Sequence, residues 1–186
     1  MAEITARKSL SGRNVFTMEI KIEKTKTPKA KPVDETKLGF GHIFTDHMFV
    51  MEYDTGKGWH DARIVPYGDI SISPAAMVLH YGQEIFEGMK AYRTPDGSIQ
   101  FFRPEENFKR MNISAERLVI PQLNVDDCLQ ALHELVKIDA DWVPHTDGAS
   151  LYIRPFIFAA DPFLGVRPGD KYYFMIIMSP SGACWR

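Results

Sequence analysis

From Gly39 onward, the alternation of apolar and polar residues predicts short strands separated by turns. Aromatic and β-branched residues dominate 44–53, and the glycine-rich segment 54–58 that follows is typical of a hairpin connection. The sequence Pro95-Asp96-Gly97 predicts a second hairpin, because these residue types preset the backbone angles of a turn. Two long apolar segments close the series. The predicted strands are 44–53, 63–66, 70–72, 91–92, 99–102, 150–158 and 172–178.

Helical spacing of apolar residues predicts two helices between these strands. The first opens with Pro104, where a missing N–H costs nothing, and the second opens with Asn124 as N-cap and ends by Trp142. Strands, two helices and further strands predict an α+β fold, a mostly antiparallel sheet with two main helices on one face. The predicted buried positions are Phe108, Met111, Ala115 and Leu118 in the first helix, and Val125, Cys128, Leu129, Leu132, Leu135 and Val136 in the second.

We expect residues 1–37 to form a polar N-terminal arm. A near-alternating apolar stretch between Val15 and Ile22 predicts one possible edge strand. The lysines that follow are interrupted by Pro28 and Pro32, and a Lys/Thr/Pro run is too polar to bury, so we expect a solvated arm. Nucleic-acid or membrane binding by the arm is disfavoured, because acidic residues dilute its charge.

Composition and charge exclude several functional classes. The 186 residues carry 22 basic and 24 acidic side chains, a formal charge of −2, which excludes broad nucleic-acid binding. No apolar run approaches the ~20 residues of a membrane helix, and the charged N-terminus lacks the apolar stretch of a signal peptide. Two cysteines are too few for a disulfide framework or a structural zinc site, and the histidines are scattered. We expect a soluble, cytoplasmic protein without a metal, in which Cys128 is a structural thiol.

Three stretches are polar or aromatic where core residues are expected. They are 80–92 (HYGQEIFEGMKAY), 102–111 (FRPEENFKRM) and 150–155 (SLYIRP), the last followed by DPFLGV at 161–166. Arg154 interrupts an apolar strand, so its guanidinium needs an anionic or carbonyl partner. From composition alone, a structural ion pair is the favoured role of Arg154.

The order of FEGMKAY, FRPEENFKRM and SLYIRP resembles the branched-chain amino acid aminotransferases, pyridoxal-phosphate enzymes of fold type IV. The resemblance begins near Leu38 with LGFG and FTDHM and runs to Ser179. The family has a small α+β N-terminal domain and a larger C-terminal domain, so the resemblance implies that 38–179 is the small domain. Residues 180–186 then form a divergent tail, because Cys184-Trp185-Arg186 departs from the family pattern.

The resemblance also implies roles for individual residues. Arg110 matches the arginine that binds the phosphate of pyridoxal phosphate, and Arg154 matches an active-site arginine near the acid group of the substrate. Leu164 and Val166 match a loop that reaches the pocket of a partner subunit, which implies a homodimer. Four aromatic residues match positions that line the pocket for a branched aliphatic side chain: Phe40, Tyr81, Phe86 and Tyr152.

The implied reaction moves an amino group between leucine, isoleucine or valine and 2-oxoglutarate, so branched-chain amino acids and 2-oxo acids are the implied partners. The family's cofactor-binding lysine lies beyond the residue that matches Ser179, and the family does not use the residue at Lys90. We therefore expect no catalytic lysine, an incomplete cofactor site and no activity in this chain alone. Two alternatives stay open: an interaction or dimerisation module acting through 164–166, and D-amino acid transamination, against which the apolar pocket argues.

Overall fold

The structure is a computed structural model that describes residues 7–8, 14–15 and 18–182. The strands are β1 (Arg7–Lys8), β2 (Asn14–Val15), β3 (Lys21–Ile22), β4 (His47–Asp54), β5 (Gly58–Pro66), β6 (Glu84–Phe86), β7 (Met89–Arg93), β8 (Ile99–Phe101), β9 (Ser150–Ala159) and β10 (Lys171–Ser181). The helices are α1 (Met77–Tyr81), α2 (Pro104–Arg117) and α3 (Val125–Ile138), with 3₁₀ turns at Glu35–Lys37 and Ala140–Trp142.

The main sheet has the strand order β3-β5-β4-β10-β9-β7-β8. The short strand β6 lies outside this order and pairs with the 156–158 part of β9. The ladders of the main sheet are antiparallel except for the parallel pair of β3 and β5, so the sheet is mixed. Leu132 of α3 is fully buried in the same core as Phe49 of β4 and Phe174 of β10. The predicted α+β fold, with two main helices on one face of a mostly antiparallel sheet, is confirmed.

Both predicted helices begin at the residues that the sequence indicated. Pro104 opens α2, and the side chain of Asn124 caps α3 by accepting the N–H groups of Asp126 and Asp127 at 2.8 and 3.2 Å. Cys128 is buried as expected, and burial raises the pKa of its thiol. Leu118 is not buried, because α2 ends one residue before it.

The hairpin of β7 and β8 is confirmed, with Asp96 accepting the N–H of Ser98 and Gly97 at φ +86°. The predicted strand at 70–72 is wrong. β5 pairs with β4 on one side and with β3 on the other, and Ile72 packs on the sheet face that lies opposite α2 and α3. The short helix α1 escaped prediction because five residues are too few to show a helical period.

None of the helices in the described ranges has the length and apolar character that crossing a bilayer requires. Within the same ranges, no three His, Cys, Asp or Glu side chains converge as a metal-binding group.

Candidate functional site

A cavity of about 200 Å³ opens on the sheet face opposite α2 and α3, at the ends of β9 and β10. Tyr152 and Arg154 share this face because side chains two residues apart on a strand point the same way. Across the ladder, Tyr152 lies opposite Ser179 and Arg154 lies opposite Ile177. The cavity is lined by Phe40, Gly41, Phe44, Tyr152, Arg154, Ile177, Met178 and Ser179.

The guanidinium of Arg154 is held by two aromatic side chains. Its Nη2 and Nε atoms donate to the Tyr152 hydroxyl oxygen at 2.7 and 3.2 Å, and its carbon lies 4.3 Å from the centre of the Phe86 ring. Among the described residues Arg154 pairs with no carboxylate, so the structural ion pair favoured by composition is wrong. Since a guanidinium has five N–H groups, three remain for a ligand.

Phe40 forms the opposite wall of the cavity. Its ring meets the ring of Tyr152 edge-on, with 4.9 Å between the ring centres. Phe40 comes from the loop before β4 and lies 112 residues from Tyr152 in sequence, yet 48% of its surface is exposed. The structure therefore brings together four of the residues implied by the resemblance: Phe40, Phe86, Tyr152 and Arg154.

Arg110 lies next to this cluster and is paired with Glu87. Two hydrogen bonds of 2.6 Å join Nε and Nη2 of Arg110 to the two carboxylate oxygens of Glu87. Asn107, one turn earlier on α2, donates to Glu87 at 3.1 Å and to the carbonyl oxygen of Gly88 at 3.2 Å. The Arg110 side chain is 66% exposed and the Glu87 side chain 6% exposed, so the guanidinium faces outward from a buried anchor.

The electrostatics of this pair favour the charged forms. Burial would raise the pKa of Glu87, but hydrogen bonds from Arg110 and Asn107 outweigh burial and hold the pKa below its usual range. The hydrogen bond to Glu87 raises the pKa of Arg110. Because the side-on pairing uses two of the five N–H groups of Arg110, three remain on a fixed plane to bind an anion.

Gly88 lies so close to the Tyr152 side chain that a Cβ atom has no space there. A Cβ atom at Gly88 would lie 2.4 Å from the hydroxyl oxygen of Tyr152, so the tyrosine ring must move in a Gly88→Ala variant. We expect the Phe40–Tyr152 ring contact and the Arg154 hydrogen bonds to be lost, seen as changed Tyr152 ring resonances by NMR. Gly68→Ala is the control, because nothing lies within 4 Å of its added Cβ. Equal ring shifts in both variants would contradict this steric account.

The three remaining residues implied by the resemblance lie together at a second place. The Tyr81 hydroxyl donates to the carbonyl oxygen of Leu164, and Val166 lines a groove of about 450 Å³ that Tyr81 also lines. The buried carboxylate of Asp161 braces this loop by accepting the main-chain N–H groups of Asp170 and Lys171 at 2.9 Å. Leu164 and Val166 are 61% and 88% exposed.

Several residues of the site escaped prediction. Glu87 stands inside FEGMKAY, where an acidic residue between apolar strand positions is the signal for a buried anion that needs a cation. Lys90 of the same motif lies opposite Tyr152 in the β7–β9 ladder but is not among the residues that line the cavity. Ile177, Met178 and Ser179 carry no sequence signal, since only the ladder register brings them to the cavity.

Comparison with known proteins defines the class of this molecule. No family model matches the chain. It is 53% identical over 167 residues to branched-chain-amino-acid aminotransferase 2 of Bacillus subtilis, and the match covers 90% of this chain and 46% of that protein. Two crystal structures of the branched-chain amino acid aminotransferase from T.th., one with pyridoxamine 5′-phosphate and one with N-(5′-phosphopyridoxyl)-L-glutamate, match with TM-scores of 0.57 and 0.56. They share 27% and 26% identity, and each match covers 74% of this chain and 41% of the solved one.

The fold and these relatives assign the molecule to the aminotransferases of fold type IV. Within that class, the chain belongs to the branched-chain-amino-acid aminotransferase family. It spans about half the length of the curated relatives it matches.

Proposed function

We propose that the chain forms part of an enzyme that transfers an amino group between leucine, isoleucine or valine and 2-oxoglutarate, with pyridoxal phosphate as cofactor. The observation that carries the proposal is an aromatic and apolar cavity lined by Arg154, with Arg110 held by Glu87, the residue after Phe86. Three N–H groups of each guanidinium pair with no described residue. An apolar wall stabilises a branched side chain by removing it from water, and guanidinium groups bind acid groups. The relatives named above support the same assignment.

The residues present fit the phosphate end of pyridoxal phosphate. Arg110 would bind the phosphate oxygens with the N–H groups that Glu87 leaves unpaired, and the buried carboxylate of Glu87 keeps the guanidinium plane fixed. When bound, the cofactor supplies an aldehyde that condenses with an amino group and withdraws electrons from the adjacent carbon. The described residues contribute orientation and anion binding to this chemistry.

Tyr152 and Arg154 would recognise the acid group of glutamate and 2-oxoglutarate. The Tyr152 oxygen accepts two hydrogen bonds from Arg154, so its own proton is left to donate to a ligand. These donors lie at the edge of the apolar cavity, and the Phe40 ring forms its other wall. One cavity thus accepts both an apolar side chain and an acidic one.

The proposal is tested by titrating the chain with reduced cofactor–substrate adducts, which bind without a lysine amine. We expect N-(5′-phosphopyridoxyl)-L-leucine to bind roughly tenfold or more tightly than the glycine adduct, because burying the leucine side chain stabilises the complex by about that factor. The adduct of D-leucine is the matched control. Tighter binding of the D-adduct would favour D-amino acid transamination, and equal binding of the leucine and glycine adducts would refute an apolar pocket.

We further propose that the chain alone does not complete the reaction. The lysines of the described ranges are absent from the cavity lining, and the reaction needs an amine there to bind the cofactor and move the α-proton. Mixing the 186-residue chain with pyridoxal phosphate, leucine and 2-oxoglutarate should therefore yield no glutamate. Formation of glutamate above a cofactor-only blank would overturn this expectation.

We also propose that 164–166 contact a second copy of the chain. Val119, on the wall of the neighbouring groove, is exposed and keeps a positive φ of 56°, a strained conformation for a β-branched residue. Exposed apolar side chains on a loop held by the buried Asp161, next to a residue with a strained main chain, indicate an interface.

Leu164→Asp combined with Val166→Asp should shift the sedimenting species from dimer to monomer. Val33→Asp, at a fully exposed position elsewhere, should not. A wild-type chain that sediments as a monomer would exclude this contact.

A further inference from the structure

The segment from Lys29 to Asp46 is a closed loop. Oδ1 of Asp46 accepts the main-chain N–H of Lys29 at 2.8 Å. The ammonium group of Lys29 donates in return to the carbonyl oxygens of Thr45 at 2.9 Å and Phe44 at 3.2 Å. The two ends of the loop therefore lie side by side, although 17 positions separate Lys29 and Asp46 in sequence.

The carboxylate of Asp46 is the centre of this closure. It is buried, and its Oδ2 accepts the indole N–H of Trp142 at 2.9 Å and the ammonium group of Lys31 at 3.2 Å. Lys31 also lies over the Trp142 ring, 4.7 Å from its centre. Asp46 thus joins both ends of the loop to the 3₁₀ turn after α3, which belongs to the helix layer.

The far side of the same loop carries Phe40. The carbonyl oxygen of Gly39 accepts the N–H of Gly182 at 3.1 Å, and Phe40 then extends over Tyr152. The Phe40 ring is half exposed, so packing on the ring alone does not determine its place. The hydrogen bonds that close the loop and tie it to Gly182 supply the missing restraint.

We propose that Asp46 is a positioning residue for Phe40, and that closure of the loop 29–46 sets the aromatic wall of the cavity. The consequence for substrate binding rests on the proposed function, whereas the placement of Phe40 over Tyr152 does not. Loss of the Asp46 carboxylate removes the acceptor of the Lys29 main-chain N–H, of Lys31 and of the Trp142 indole. The loop is then held less firmly, and the Phe40 ring moves away from Tyr152 and widens the cavity.

The test measures ring-to-ring NOEs by NMR in the full chain without any ligand. In Asp46→Ala we expect the Phe40–Tyr152 NOE to fall at least fivefold. The NOE between Phe49 and Phe174, whose ring centres lie 5.7 Å apart in the core, reports whether the fold is intact and should not change. Asp34→Ala is the matched control, because Asp34 lies in the same loop but, among the described residues, its side chain bonds only with its neighbours Thr36 and Lys37.

Lys29→Met provides a second variant if Asp46→Ala does not fold. It removes the two ammonium hydrogen bonds at an exposed position and retains the main-chain bond to Asp46, so we expect a partial loss of the Phe40–Tyr152 NOE with an unchanged core NOE. An undiminished Phe40–Tyr152 NOE in a folded Asp46 variant, or in Lys29→Met when only that variant folds, overturns the inference. These readouts need no cofactor, so they decide the inference even if the adduct titrations refute the proposed function.

Discussion

Arg110→Ala is expected to weaken binding of N-(5′-phosphopyridoxyl)-L-leucine by roughly 10- to 100-fold, the factor associated with losing charge-assisted hydrogen bonds. The three N–H groups that Glu87 leaves unpaired are the phosphate donors in this proposal. Arg110→Lys should recover only part of the affinity, because an ammonium group offers a point charge and no planar fork. Isothermal titration calorimetry measures the dissociation constants.

Lys109→Ala is the matched control for this prediction. Lys109 precedes Arg110 on α2 and is also exposed, but its ammonium group pairs with Glu106 at 2.8 Å. We expect its loss to change adduct affinity less than about twofold, since an exposed helix pair contributes little. If Arg110→Ala and Lys109→Ala bind the adduct alike, Arg110 is not the phosphate ligand.

The acid stability of the chain gives a second readout of the same substitution. In the wild type the folded-state pKa of Glu87 lies below the ordinary value of 4.5, so its contribution to stability is present above that value and is lost as the pH falls through the folded pKa. In Arg110→Ala the burial of Glu87 remains while its main cation is gone, so the pKa should rise. Urea unfolding between about pH 3 and pH 7 should show stability declining at a higher pH than in the wild type.

The elements that sequence predicts correctly carry their signals within a few residues. Asn124 caps α3 through its own side chain, and Pro95-Asp96-Gly97 forms the turn that joins β7 to β8. The segment 70–72 has strand composition too, but which segment lies beside β5 depends on β3, more than 40 residues away. The residue composition of a strand reflects how its side chains are buried. It does not determine which other segment pairs with that strand.

The site shows the same division between local and distant information. Tyr152 and Arg154 are two residues apart on one strand, so their shared face follows from the strand period alone. The pairing of Glu87 with Arg110 and the approach of Phe40 to Tyr152 depend on how separate elements meet. The family resemblance was enough to identify the candidate site residues, whereas the contacts that orient them are visible only in the folded chain.

The polar segment before β4 illustrates a further limit. Its lysine side chains are exposed, as a solvated arm requires, yet the segment is fixed to the sheet by hydrogen bonds from its main chain. Thr25 donates to His47 and Lys29 donates to Asp46, both residues of the FTDHM motif. A hydropathy pattern reports side chains only, so it misses a segment that is held through its N–H groups.

Asp139→Asn is expected to lower the free energy of unfolding by about 2–4 kcal/mol, because it leaves a buried donor without an acceptor. The two carboxylate oxygens of Asp139 accept separate bonds from His47, one from its ring Nδ1 at 2.7 Å and one from its main-chain N–H at 2.9 Å. The tautomer of the His47 ring follows from its other nitrogen. Nε2 accepts the N–H of Thr25 at 2.9 Å, so Nδ1 must carry the proton and donate it to Asp139.

An asparagine at 139 offers one oxygen and turns an amide N–H₂ group toward a second donor, so at least one His47 donor is left unpaired in a buried place. The His47 ring then loses its fixed orientation, and the Thr25 amide should exchange with solvent faster than in the wild type. Asp141→Asn is the control, because Asp141 is exposed two residues further along the chain, and it should change stability by less than about 0.5 kcal/mol. Equal urea midpoints for the two variants would show that the His47–Asp139 contact does not stabilise the fold. Unchanged Thr25 exchange in a destabilised Asp139→Asn chain would separate the stability of this pair from its role in holding the N-terminal segment on the sheet.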